Sequence, residues 1–313
     1  MKAAIIGAGG RVGCCAAYAL QWGGVVSEII LQDIAEDQVH GEALDLLHGS
    51  SLLHDQRIYH ADMAAAAKAD IIVITAGLRR KPEESRLDLI NRNVSLFSSI
   101  MSDLNDSGLR QDAILLVVSN PVDILTRLAL LESHLPWEQV IGLGTCLDTS
   151  RFCSLVAEAV KAAPTQIKAM ILGEHGDSMV PIWSSATYNG LPLENHPDLS
   201  QTVKARIFER TRQSGAEMIK LKGGAGWAVA TSIATLVHSV MLDQRKLLPV
   251  SSLQNGAYGI TDVCLSVPTV VGRGGVLQHV ELGLWPREVQ ELKNSANVIK
   301  TTFARVRLKE PNH

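Results

Sequence analysis

Short runs of β-branched and other apolar residues recur along the first half of the chain, separated by stretches in which apolar positions return every third or fourth residue. The runs at residues 3–6, 28–32, 71–75, 114–118 and 140–141 predict strands, and the stretches at 11–21, 36–47, 86–105 and 124–133 predict helices. Strands alternating with helices in this way form a parallel sheet with crossover helices on its faces. The first half therefore predicts a doubly wound α/β domain. Near Thr145 the rhythm changes. A helix to residue 161, a strand at 167–172, a long polar helix at 198–221, a helix at 227–245, strands near 263–267 and 275–281, and a closing helix at 287–307 predict an α+β second half. The sequence has no internal repeat and no low-complexity linker. The expected domains are residues 1–144 and 145–313, packed as one body with a site at their junction.

With 46% hydrophobic and 19% charged residues, the 313-residue chain has enough apolar material for a sizeable core. A net charge of -3, with no block of lysine and arginine, argues against a nucleic-acid partner. No apolar run reaches the roughly 18 residues that span a bilayer, and the chain opens on a strand instead of a basic region, apolar stretch and cleavage site. The expectation is a cytoplasmic protein with no membrane partner. The five cysteines (Cys14, Cys15, Cys146, Cys153 and Cys264) are odd in number and lack metal-ligand spacing, so neither a disulfide nor a metal site is expected.

Two motifs suggest chemistry. Gly7-Ala8-Gly9-Gly10-Arg11-Val12-Gly13 follows the first strand and opens the first helix. Glycines there permit a tight turn and let backbone N–H groups at the helix N-terminus approach a pyrophosphate. The spacing is GxxGxxG, and a glycine cluster alone also fits an ordinary strand-to-helix turn. Asp33 separates the two readings: it ends the second strand, 20 residues past Gly13. An acid there accepts hydrogen bonds from ribose hydroxyls and repels a 2'-phosphate. The unit predicts NAD in preference to NADP.

The second motif is Gly173-Glu174-His175-Gly176-Asp177, which follows a predicted strand and places His175 at its end. A histidine titrating near neutrality suits proton exchange with an alcohol or ketone. Asp148 and Arg151, three residues apart on one helical face, provide a carboxylate to orient an imidazole and a guanidinium to grip a substrate carboxylate. A surface ion pair is the plainer alternative for those two.

These motifs occur in order with Thr75-Ala76-Gly77, Ser85-Arg86-Leu87-Asp88-Leu89, Ser119-Asn120-Pro121-Val122-Asp123 and Thr145-Cys146-Leu147-Asp148-Thr149-Ser150-Arg151. The set, joined by Gly41-Glu42-Ala43-Leu44-Asp45-Leu46, resembles the L-lactate/malate dehydrogenase family over residues 2–305. The resemblance implies a Rossmann NAD domain followed by a substrate domain, and a homodimer or homotetramer. Any tetramer would form without the N-terminal arm of vertebrate relatives. It also implies roles. His175 exchanges a proton with the substrate oxygen, Asp148 orients it, and Arg151 clamps the C1 carboxylate through paired hydrogen bonds that lysine cannot supply. Arg86, beyond a loop at 78–85 that closes over the site, polarises the carbonyl. Asn120 hydrogen-bonds near the substrate, before an Asn-Pro bond expected to be cis. The cofactor set comprises Gly7, Gly9, Gly10, Arg11, Val12, Gly13, Asp33, Thr75, Ala76, Gly77, Asn93, Val118, Asn120 and Val229. For Val229, ordinary helix packing is the alternative.

The resemblance also suggests a substrate. Malate-type members carry an arginine six residues before the loop arginine, and here that position is Arg80. A second guanidinium would pair with the distal carboxylate of oxaloacetate, whereas pyruvate would leave it unpaired at a cost of about 3–5 kcal/mol. Ala225, where lactate-type members usually have threonine, gives more room. Trp227, the segment Leu265-Ser266-Val267-Pro268, and Glu83 in place of glycine point toward lactate; Arg79 beside Arg80 leaves the register open, and a solvated basic loop tip is the plainer reading. The expectation is an NAD-dependent (S)-malate dehydrogenase, with an L-lactate or broad 2-hydroxy acid dehydrogenase as the alternative. A non-catalytic NAD-binding sensor would not need His175, Asp148 and Arg151 together. Sugar-phosphate activation is not expected, because Cys153 and Lys168 stand where activated relatives carry arginine and histidine.

Overall fold

The computed structural model describes residues 1–79 and 83–307. In chain order the elements of the first half are β1 (Lys2–Ile6), α1 (Arg11–Gly23), β2 (Glu28–Gln32), α2 (Glu36–Gly49), β3 (Arg57–His60), α3 (Met63–Ala66), β4 (Ile71–Ile74), α4 (Arg86–Asp106), β5 (Ile114–Val117), α5 (Val122–Ser133) and β6 (Val140–Gly142). The second half contains α6 (Cys146–Val160), β7 (Ile167–Leu172), β8 (Val180–Tyr188), β9 (Leu191–Pro192), α7 (Gln201–Lys222), α8 (Trp227–Met241), β10 (Lys246–Asn255), β11 (Thr261–Gly272), β12 (Gly275–His279) and α9 (Pro286–Phe303).

The expected doubly wound sheet is present, with parallel order β6-β5-β4-β1-β2-β3. Its inner strands are buried on both faces, and alternate residues feed different cores. Ala4, Ile6, Ile72 and Ile74 join α4, α5 and α9 on one side. Ala3, Ile5, Ile71 and Val73 join α1 and α8 on the other. This two-sided burial is why the strands read as continuous apolar runs instead of alternating ones. A third cluster, centred on Phe152, Val156, Ile171, Trp183 and Ile207, fills the space among α6, α7, β7 and β8.

The second half differs from expectation in several places. β10, β11 and β12 extend the same sheet antiparallel from β6, making nine strands, while β7, β8 and β9 form a separate sheet. The helix expected at 227–245 ends at Met241, because Asp243 (φ 48°) and Arg245 (φ 52°) turn the chain into β10. The closing helix ends at Phe303 instead of residue 307. No strand was expected at β3, β8, β9 or β10, and no helix at α3. β8 and β10 contain Pro181 and Pro249, which weaken a strand pattern, and β3, α3 and β9 are only two to four residues long.

Local sequence fixes the elements that bear the site. α4 starts at Ser85, whose Oγ accepts the Asp88 N–H at 3.1 Å and donates to Asp88 Oδ2 at 2.6 Å. α1 stops at Gly24, whose φ of 62° favours glycine. All five cysteines are free thiols, and among the described residues no helix is long and apolar enough to cross a membrane.

Candidate active site and cofactor cradle

The turn after β1 is shaped by residues without side chains. Gly7 has φ 86°, and a Cβ there would stand 2.6 Å from the Ala76 backbone nitrogen. A Cβ on Gly13 would overlap the Gly7 carbonyl. Gly10 caps α1 with no side-chain bond to its first amides, so the helix N-terminus offers its N–H groups to an anion. Asp33 closes the turn: Oδ2 accepts the Gly9 N–H at 3.0 Å and Oδ1 accepts the Ala35 N–H at 3.1 Å. The Thr75 hydroxyl donates to the Ile6 and Gly7 carbonyls at 3.0 and 3.1 Å, so Thr75, Ala76 and Gly77 pass directly beneath the turn. This cradle fits a dinucleotide pyrophosphate with its ribose at Asp33.

The remaining cofactor candidates are distributed around this turn. The Arg11 guanidinium reaches the Lys222 carbonyl and, at 3.3 Å, the Gly224 carbonyl, tying α1 to the segment before α8. Val118 and Val229 are buried in the core cluster beside α1, and Val12 packs against it. Asn93 is buried and brackets the chain at Leu78: its Oδ1 accepts the Leu78 N–H at 2.7 Å and its Nδ2 donates to the Leu78 carbonyl at 3.3 Å.

His175 emerges beyond β7. Its Nδ1 lies 2.5 Å from Asp148 Oδ2, and Arg151 Nη1 donates to Asp148 Oδ1 at 3.0 Å. Asp148 is 1% exposed, so this is a buried ion pair and not the surface pair considered as the alternative. A carboxylate accepting at Nδ1 assigns that nitrogen the proton and leaves Nε2 for a substrate. Burial pushes the His175 imidazole down, but the charge and hydrogen bond of Asp148, helped by Asp123, hold it above the usual histidine value. Burial likewise pushes Asp148 up, and His175 with Arg151 brings it below the ordinary carboxylate range. Asp148 therefore favours the protonated imidazole over what burial alone would allow.

A cleft of about 630 Å³ opens in front of His175, lined among others by Arg86, Asn93, Asn120, Asp123 and Arg305. The Asn120-Pro121 bond is cis. Arg86 Nη1 is 2.8 Å from Asp177 Oδ2, and its other Nη is 3.8 Å from Glu174 Oε1, so its guanidinium stands at the mouth of the cleft. Arg80 lies outside the described residues. Ala225 packs against the cluster beside α1; like Asp148 and Arg151, it is not among the residues that line this cleft. Sequence reasoning missed Arg305, brought to the cleft by α9, and passed over Asp123, quoted only as part of a motif. Asp123 accepts the His175 backbone N–H at 2.8 Å and the Ser251 hydroxyl at 2.6 Å. Among the described residues no three His, Cys, Asp or Glu side chains gather as a metal site.

Residues 1–142 match the lactate/malate dehydrogenase NAD-binding domain, and residues 145–308 match the alpha/beta C-terminal domain of the same family. The chain belongs to the lactate/malate dehydrogenase family. Its NAD-binding domain is the doubly wound half that carries the glycine cradle, and NAD is the family's cofactor. Similar proteins include an L-lactate dehydrogenase of Synechococcus sp. (strain JA-3-3Ab), 39% identical over 98% of this chain and all of the relative. One from Acetivibrio thermocellus is 40% identical over 96% of this chain and 95% of the relative. The solved minor L-lactate dehydrogenase of Enterococcus mundtii superposes with a TM-score of 0.94 at 34% identity, covering 98% of this chain and 99% of that one.

These relatives overturn the expectation of a malate dehydrogenase, since they are named L-lactate dehydrogenases. That expectation rested on Arg80, which lies outside the described residues, and on Ala225, which packs against the cluster beside α1.

Proposed function

We propose that this family member is an NAD-dependent L-lactate dehydrogenase that interconverts pyruvate and L-lactate. The observation that carries the reading is the buried Arg151–Asp148–His175 chain, with Nδ1 of the imidazole held at 2.5 Å and its other nitrogen left for substrate. NAD supplies or takes up the hydride. His175 delivers its proton to the pyruvate oxygen as the carbonyl is reduced, and removes it from the lactate hydroxyl in the reverse direction. Asp148 holds the tautomer and offsets the imidazolium charge. Arg151 spends one N–H on Asp148 and keeps others for the substrate C1 carboxylate.

Arg86 leaves Asp177 to polarise the substrate carbonyl as water is excluded, and Asn120 donates from the cleft wall. Gly7, Gly9, Gly10, Arg11, Val12 and Gly13 receive the pyrophosphate. Asp33 binds the ribose, while Thr75, Ala76, Gly77, Asn93, Val118 and Val229 flank the path to the nicotinamide. The chain divides at residue 144 into cofactor and substrate domains and acts in the cytoplasm. It works as a homodimer or homotetramer, a reading favoured by the half-exposed aromatic rings of Tyr18, Trp22 and Trp227 on the adjacent helices α1 and α8.

The test is steady-state NADH oxidation with pyruvate and with oxaloacetate, in wild type and His175→Ala. Pyruvate should be preferred in kcat/KM, and H175A should bind NADH while losing turnover. A preference for oxaloacetate, or an H175A variant with undiminished turnover, overturns the assignment.

A further inference from the structure

The segment that presents His175 is anchored one amide at a time. The Gly173 N–H donates to the Ser266 carbonyl of β11 at 2.9 Å, and Ser266 returns the bond at 3.0 Å. The Glu174 N–H donates to Ser295 Oγ of α9 at 2.8 Å. The His175 N–H donates to Asp123 Oδ2 of α5 at 2.8 Å. Three consecutive amides thus end on three different elements.

The third anchor differs from its neighbours. A carbonyl or a hydroxyl suffices for Gly173 and Glu174, and a neutral acceptor would satisfy the His175 amide equally well. The chain instead buries a carboxylate, 3% exposed, which is costly to remove from water. Among the described residues no lysine or arginine pairs with Asp123; its second oxygen accepts only the Ser251 hydroxyl of β10 at 2.6 Å. The cation that most favours its ionised form is His175 itself.

We propose that Asp123 is a positioning residue for the proton transfer, fixing the main chain beneath His175 and, as a second carboxylate behind Asp148, favouring the protonated imidazole. The inference rests on the acid/base reading of His175. The groups facing the pair are few. Glu174 approaches Asp123 from the catalytic segment, and the Cys264 thiol, raised by burial, from β11. Asp148 and Arg151 face the imidazole from α6. Burial pushes Asp123 up to about 6, against the bonds from Ser251 and the His175 amide, so its charge and that of His175 depend on each other near neutrality.

Two variants separate position from charge. Asp123→Asn keeps the shape and removes the charge outright, while Ser251→Ala keeps the carboxylate but removes the hydroxyl that orients it and favours its ionised form. The His175 imidazole is titrated by NMR through its Cε1–H signal, assigned with H175Q, and kcat with pyruvate and NADH binding are measured on the same preparations. D123N should lower the His175 midpoint by about half a pH unit or more and reduce kcat by about tenfold or more, with NADH binding retained. S251A should lower the midpoint by less than D123N does and lower kcat several-fold. A D123N protein with wild-type midpoint and kcat reduces Asp123 to a simple amide acceptor and overturns the proposal. If D123N fails to fold, S251A decides, and an undiminished kcat there overturns it. Because the titration needs no turnover, a wild-type protein inactive on pyruvate whose His175 midpoint still depends on Asp123 refutes the lactate reading and supports this one.

Discussion

Asp148→Asn removes one negative charge from the centre of the site and leaves its volume unchanged. The wild-type carboxylate accepts from His175 at 2.5 Å and from Arg151 at 3.0 Å. An asparagine has one acceptor oxygen, so one of those two donors must face an NH₂ group. Breaking a buried pair by removing one partner costs about 3–5 kcal/mol, and about 1.4 kcal/mol corresponds to a factor of ten. If the full cost falls on the transition state, kcat/KM for pyruvate drops by about 10²–10⁴.

The pH dependence gives the sharper test. Burial alone would lower the imidazole below 6.5, and Asp148 is the main group that reverses this. D148N should therefore move the alkaline limb of pyruvate reduction, where the protonated imidazole is lost, about a pH unit or more toward acid. The measurement is kcat/KM for pyruvate between pH 5 and 9 at saturating NADH, with NADH fluorescence confirming an intact cofactor site. A D148N enzyme whose alkaline limb coincides with that of wild type refutes the electrostatic reasoning, whatever its absolute rate.

Three further outcomes follow from the geometry. Gly13→Ala places a Cβ against the Gly7 carbonyl and 2.7 Å from Ala8 Cα; the variant should lose about 1–3 kcal/mol of stability and weaken NADH binding, and unchanged melting and affinity would count against the cradle. Arg151→Lys replaces a planar fork by a point charge and should raise the pyruvate KM by about ten- to a hundredfold, from about 1.5–3 kcal/mol per charged hydrogen bond, with little change in NADH affinity; an unaltered KM would remove Arg151 from the substrate. Asp123 is raised by burial from 3.8 to about 6, so the native state holds a proton that the unfolded state has lost, and stability falls as pH rises through that window by about 3 kcal/mol. Urea unfolding between pH 4 and 7 should therefore show wild type losing stability relative to D123N, and parallel curves would refute the shift.

The first half of the fold was legible because its inner strands are buried on both faces and carry β-branched runs such as Ile71-Ile72-Val73-Ile74. β3 and α3 were not, because four residues carry too little pattern. The helix before β10 was extended to residue 245, although the left-handed turns at Asp243 and Arg245 follow its end at Met241, and β10 itself was missed because Pro249 interrupts its strand pattern. In the site, His175, Asp148 and Arg151 stood out through motif and spacing. Asp123 did not, since its role depends on His175 and Ser251, which lie 52 and 128 residues away. The substrate expectation failed for a related reason: with Arg79 beside Arg80 the sequence does not say which arginine meets a substrate, and Ala225 sits in the packing beside α1.

The seam between the two halves of the nine-stranded sheet has a consequence for synthesis. β10 meets β6 through a single paired position, Ser251 opposite Gly142, and the seam residue on β10 emerges from the ribosome more than a hundred residues after its partner. At about 5–20 residues per second, the outer edge of β6 waits roughly 5 to 20 seconds without a neighbour. An open parallel sheet with an unpaired edge is a template for pairing with other chains. The nascent cofactor half is thus most exposed to misassembly after its own fold is encoded and before the strand that covers it has been made, which is the interval in which a chaperone would matter most to this enzyme's yield.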